Sequence, residues 1–119
     1  MVSVTADQIR KRLGLTAADI SDEDVLAFRD EATAFLSEEI GKTLNAESST
    51  EAEANAIRNL AAIYCYCKVS GGSAVGLDFS VGDLHVSPNA GKQLEFLREQ
   101  VERFIARQRR FGVSLQEGP

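Results

Sequence analysis

At 119 residues the chain is one domain's worth, enough for a single core that buries about two thirds of the surface its unfolded form would expose. Hydrophobic residues at 44% and charged residues at 26% exclude wholesale disorder, and no apolar run approaches a membrane span. The net charge of -5 is uneven, with 12 acids against 6 bases in residues 1–59 and 6 against 7 in residues 60–119; so acidic a front half argues against a general nucleic-acid binder.

No positively charged start with an apolar stretch behind it opens at Met1, so the expectation is a soluble, unsecreted chain with no membrane partner. Thr5 followed by Gln8 fits a capping box, which predicts a short helix from about Ala6 with Ile9 and Leu13 on its apolar edge. Gly14 is placed to end it, being free to take positive φ. So short a helix must lie on something else to persist.

Ser21 supplies the next capping oxygen, and Asp22, Glu23 and Asp24 put three acids where a helix macrodipole favours them. Val25, Phe28, Ala32, Phe35, Leu36 and Ile40 then recur at helical spacing, with polar residues on the other faces. The helix should end near Gly41, and a polar connection runs from Leu44 to Ser49. Thr50 and Glu53 form a second capping box, opening a helix that is apolar nearly all round from Leu60 to Cys67. Such a helix is either central to a bundle or shared with a neighbouring chain, and internal burial is the default expectation.

Between Ser70 and Ser87 the period changes, as Gly71, Gly72, Gly76 and Gly82 interrupt the chain while Leu77 and Phe79, then Leu84 and Val86, alternate. The spacing predicts a glycine-rich loop and a β-hairpin over 70–87, which needs a supporting surface because an isolated hairpin is marginal. Ser87 and Pro88 start a final helix whose stripe is Leu94, Leu97, Val101, Phe104, Ile105 and Phe111. Phe96 falls about 200° from Leu94 and is the misfit. Residues 112–119 carry no pattern and are read as a tail. The fold class is therefore mainly α: one domain over 1–119, a small bundle of a short N-terminal helix and three long helices, with the hairpin inserted before the last.

Chemistry is scarce. His85 is the only histidine, and Asp83 would share its side of a strand, but no further metal ligands lie at suitable spacing. The ordinary reading is a solvated histidine. Cys65 and Cys67 leave opposite sides of their helix, cannot readily pair, and read as reduced, packed thiols with raised pKa. The glycines match no phosphate-binding fingerprint. No nucleophile, base and orienting group can be assembled, so the expectation is a protein that is not an enzyme and has no catalytic, cofactor or metal site.

Surfaces are more informative. Arg103, Arg107 and Arg110 share a face at spacings of four and three, with Arg109 beside them. Either they complement the helix dipole and stay solvated, or they dock an acidic partner. Phe96 likewise supports the hairpin or meets another subunit.

The order of these elements resembles the head-tail connector proteins of long-tailed phages, also called head-completion adaptors. The likeness runs through the short helix Val4 to Leu13, the Gly14 and Leu15 turn, the acidic start Ser21 to Asp24, the small residues Ala32 and Ala34, and the Gly41 and Lys42 ending. Asn59 to Tyr64 look like that family's second long helix, Phe79 to Gly82 like its hairpin, and Leu94 to Arg110 like its last helix. The resemblance implies a virion protein assembled in the host cytoplasm, a dodecameric homo-oligomeric ring on the portal protein. That ring extends the DNA channel and presents a platform to a tail-side completion or stopper protein, while DNA passes through without specific binding.

A closed ring uses head-to-tail contacts, so each subunit needs two unlike, complementary patches. The candidate interface residues are Asp22, Glu23 and Asp24; Leu77, Phe79 and Phe96; and Arg103, Arg107, Arg110 and Phe111. Other readings of the same helices are a small protein-binding regulatory module and, using the C-terminal arginine face, a DNA-binding protein.

Overall fold

The computed structural model describes the backbone of residues 1–70 and 88–117, and side chains at 1–70 and 92–109. Four helices are present among these residues: α1 (Ala6–Lys11), α2 (Asp22–Ile40), α3 (Glu51–Val69) and α4 (Pro88–Glu117). The described part is mainly helical and contains no strand. The hairpin expected within 70–87 lies outside the described residues, as do Leu77, Phe79 and His85.

Local chemistry starts and stops these helices. At α1 the Gln8 N–H donates to Thr5 Oγ1 at 3.3 Å while the Thr5 N–H donates to Gln8 Oε1 at 3.1 Å, so two orphan donors are satisfied reciprocally. Gly14, at φ +70°, then turns the chain so that the Leu15 N–H reaches back to the Arg10 carbonyl at 3.0 Å. Ser21 Oγ caps α2 by accepting the Asp24 N–H at 3.3 Å. At its other end Gly41, at φ +68°, lets the Lys42 N–H bond the Ser37 carbonyl at 3.1 Å. Both turn glycines predicted from the sequence thus occupy the left-handed region that a side chain would strain.

Thr50 and Glu53 make the second capping box, and Lys42 Nζ adds an ion pair to Glu53 Oε2 at 2.8 Å. Burial alone would push the Glu53 carboxyl up, but hydrogen bonds from Lys42 and Thr50 together hold it below its ordinary value. A lowered folded-state pKa stabilises the protein above the unfolded pKa, and that contribution disappears as pH falls through the folded value. Glu53→Gln should therefore flatten the acid limb of stability below about pH 4.5 relative to the unmodified chain. Identical denaturant midpoints against pH for both proteins would remove Glu53 from the account.

α3 is the centre, packing against α1, α2 and α4. Ile57, Leu60, Ala61, Ala62, Ile63 and Cys65 are buried on successive faces, which is why the sequence shows no polar stripe there. Against α3, α2 presents Val25, Ala32 and Leu36, with Phe28 tilted at 53° to Tyr64 and ring centroids 6.1 Å apart. α4 contributes Leu94, Leu97, Val101 and Phe104 to the same core. The backbone of α4 continues helically past Phe111 to Glu117, through residues that the sequence pattern assigns to the tail.

One long-range closure was not visible in the sequence. Val2 and Ser49 exchange backbone hydrogen bonds of 2.8 Å in both directions, and the Val4 N–H donates to the Ala46 carbonyl at 2.8 Å. This antiparallel bridge sews the N-terminus to the connection before α3 and buries Val4, Leu44, Ala46 and Ser49.

Candidate assembly surface

The acidic start of α2 and the arginines of α4 lie at opposite ends of the bundle. Asp24 approaches Lys68, in the last turn of α3, at 3.8 Å. Asp22 accepts from Arg10 Nη2 at 2.5 Å. At the other end Arg109 Nε donates to the Glu39 carbonyl, near the end of α2, at 3.1 Å, and its Nη2 also pairs with the Glu39 carboxylate. α4 therefore runs antiparallel to α3, and its arginines lie beside the first turns of α3.

There a groove of about 160 Å³ opens between the two helices, lined by Asn55, Asn59, Gln100, Arg103, Phe104 and Arg107 together with two alanines. Arg103 and Arg107 are exposed, and neither has an ion-pair partner among the described residues. Arg107 and Arg103 stand about three and about four turns from the end of α4, too far for the macrodipole, whose effect is confined to the last turn, to account for them. On the far side of Asn55 two more guanidiniums converge. Arg12 Nη2 and Arg58 Nη1 both donate to Asn55 Oδ1, at 3.0 and 2.9 Å, and Arg58 Nε donates to Gln8 Oε1 at 3.0 Å. Burial, then the neighbouring Arg58 charge, pushes Arg12 below its ordinary value against the opposing pull of Glu51.

No family model, curated protein or solved structure matches the chain.

Of the sequence-predicted interface residues, Asp22 and Glu23 are exposed and Asp24 is half-buried. Arg103 and Arg107 come together on the groove, while the side chains of Arg110 and Phe111 lie outside the described residues. Phe96 is 59% exposed, whereas Leu97 beside it is 5% exposed, so Phe96 does lie off the core stripe. Within α4, Phe96 is seven residues from Arg103 and hence on the same face, about two turns away. Arg12, Arg58, Asn55, Asn59 and Gln100 were missed by sequence reasoning, since their convergence depends on how three helices are rotated against one another.

The thiols take no part in this surface. Cys65 and Cys67 are both buried and unpaired with each other. Burial pushes Cys65 up to about 12 and Cys67 up as well, so little thiolate forms at neutral pH. Native protein at pH 8 should resist a thiol-labelling disulfide reagent, and both cysteines should react once denaturant is added. Stoichiometric labelling of the native fold would contradict this. Among the described residues no cluster of metal-ligating side chains occurs, and no helix is long and apolar enough to cross a membrane.

Proposed function

We propose that this chain is a structural, non-catalytic virion subunit, one copy of a homo-oligomeric adaptor ring that joins the portal to the tail of a long-tailed virus and extends the DNA channel. The observation that carries the reading is the separation of two unlike surfaces, acids at the start of α2 and unpaired arginines on α4, at opposite ends of one bundle. Copies that meet head to tail need two such patches that do not overlap. The exposed Phe96, on the arginine side of α4, supplies apolar area of the kind that marks a protein contact.

In this reading the ring is a dodecamer seated on the portal, and a tail-side completion protein docks on its free face. The hairpin expected over 70–87 meets a neighbouring subunit or the following ring, and the last helix approaches the portal. Electron microscopy of the protein mixed with its cognate portal tests this. A ring stacked on the portal's narrow end is expected; absence of any complex at micromolar concentrations would overturn it.

The four arginines around Asn55 favour a second reading, a DNA-binding protein. Phosphate contacts would make affinity fall steeply and uniformly with salt. Salt-resistant binding to portal with no retention of duplex DNA excludes it.

A further inference from the structure

Glu23 is the second residue of α2 and exposed. Its neighbours are engaged, Asp22 by Arg10 at 2.5 Å and Asp24 by Lys68 at 3.8 Å, whereas Glu23 has no ion-pair partner among the described residues. At the other end of the bundle, Arg103 and Arg107 flank the α3–α4 groove with no ion-pair partner among the described residues. Asn59, which lines the groove and is 5% exposed, carries a buried Oδ1 with no hydrogen-bond donor. A buried carbonyl oxygen left unpaired is costly, and native proteins rarely leave one so.

We propose that the groove between α3 and α4 is the receiving site for Glu23 of a second copy of this chain, so that copies join acidic end to arginine end. The contact rests on the ring reading and gives it a named pair of surfaces. Charge complementarity selects the occupant. Arg103 and Arg107 line the groove, with Arg12 and the buried Arg58 behind Asn55, and the helix start that would approach them carries three acids. A carboxylate between Arg103 and Arg107 draws their N–H groups over the groove, above an Asn59 amide oxygen that is too deeply buried for the incoming chain itself to reach.

The contact cannot close within one molecule. Asp24 is tied to Lys68, and nine to thirteen residues of α3 separate Lys68 from Asn59 and Asn55, roughly 13 to 20 Å at 1.5 Å per residue. Glu23 therefore meets such a groove only on another copy. A donor end and an acceptor end on one rigid bundle give a heterologous contact, which forms a ring if its rotation closes and a filament if it does not. Phe96 lies on the groove side of α4 and adds an apolar contact beside the ionic one.

Sedimentation velocity over a concentration series separates the outcomes. The unmodified chain should associate, and Glu23→Arg, or Arg103→Glu with Arg107→Glu, should each raise the concentration for half-association at least tenfold. Mixing the two reversed proteins should restore association, since each then offers the charge the other lacks. Glu23→Gln, which keeps the helix start uncrowded, should weaken association while circular dichroism and the denaturant midpoint stay unchanged. A wild-type chain that remains monomeric into the millimolar range, reversals without effect, or a mixture that fails to recover would each overturn the contact. Rings on a portal that are indifferent to the reversals would retire the Glu23 contact and leave the adaptor reading standing. Charge-dependent self-association with no affinity for the cognate portal would do the opposite.

Discussion

Leu97→Ala should destabilise the protein by about 2–5 kcal/mol, while Phe96→Glu, one position earlier, should move the denaturant midpoint by no more than about 0.5 kcal/mol's worth. The contrast follows from α4 geometry. Leu97 sits against α3 in a core that also holds Leu94, Val101 and Phe104, so its truncation leaves a cavity that flanking helices fill only in part. Phe96 points away from that core and is 59% exposed, so a charge there meets water. Its effect should instead appear in assembly, as lost association at unchanged monomer stability. Urea titrations of both variants, read beside sedimentation of the second, decide the matter. A destabilised Phe96→Glu monomer would mean that this side of α4 is covered within its own chain.

Arg10→Ala should cost roughly 2–4 kcal/mol, a large effect for a residue of the short first helix. Arg10 is only 4% exposed, and its guanidinium works as a splint among three segments. Nε and Nη2 donate to the Ile20 carbonyl at 3.1 and 2.8 Å, Nη1 to Asp7 at 3.1 Å, and Nη2 also to Asp22 at 2.5 Å. Asp7 and Asp22 are largely exposed, so the ion pairs are screened and add little. The larger loss is the buried Ile20 carbonyl left without a donor, together with the packing of the arginine stem. Arg10→Lys should rescue only partly, because an ammonium cannot reproduce the planar fork. Chemical denaturation that finds Arg10→Ala within about 0.5 kcal/mol of the parent would show the splint to be idle.

The features legible in the sequence were the local ones. Thr5 with Gln8, Ser21, Thr50 with Glu53, Gly14 and Gly41 act within a few residues of themselves, so their order along the chain already contains their partners. The stripes of α2 and α4 and the all-round burial of α3 were readable for a similar reason, since helical periodicity records which faces meet a core. What stayed hidden involves distant partners. The Val2 and Ser49 bridge is a single pairing with no alternation to announce it, and it buries Leu44 and Ala46 within a connection that looked polar. Arg10 read as one more charge on a short helix, because nothing local tells that Ile20 returns beside it. α4 outran its expected end because residues 112–117 lack apolar periodicity, although a single glycine within them weakens a helix without forbidding it. The candidate surface was half legible: the acids and arginines stand out as clusters, but the groove joining Arg103 and Arg107 to Asn55 and Asn59 exists only once α3 and α4 are docked.

The central position of α3 has a consequence for how this molecule fails. Each of the other helices leans on it, so loss of α3 would strip α1, α2 and α4 of a shared partner at once. The slowest-exchanging backbone amides are therefore expected in α3, opening only with global unfolding. A bundle arranged this way concentrates its resistance to unfolding in one central element, and substitutions there should be felt by every other helix.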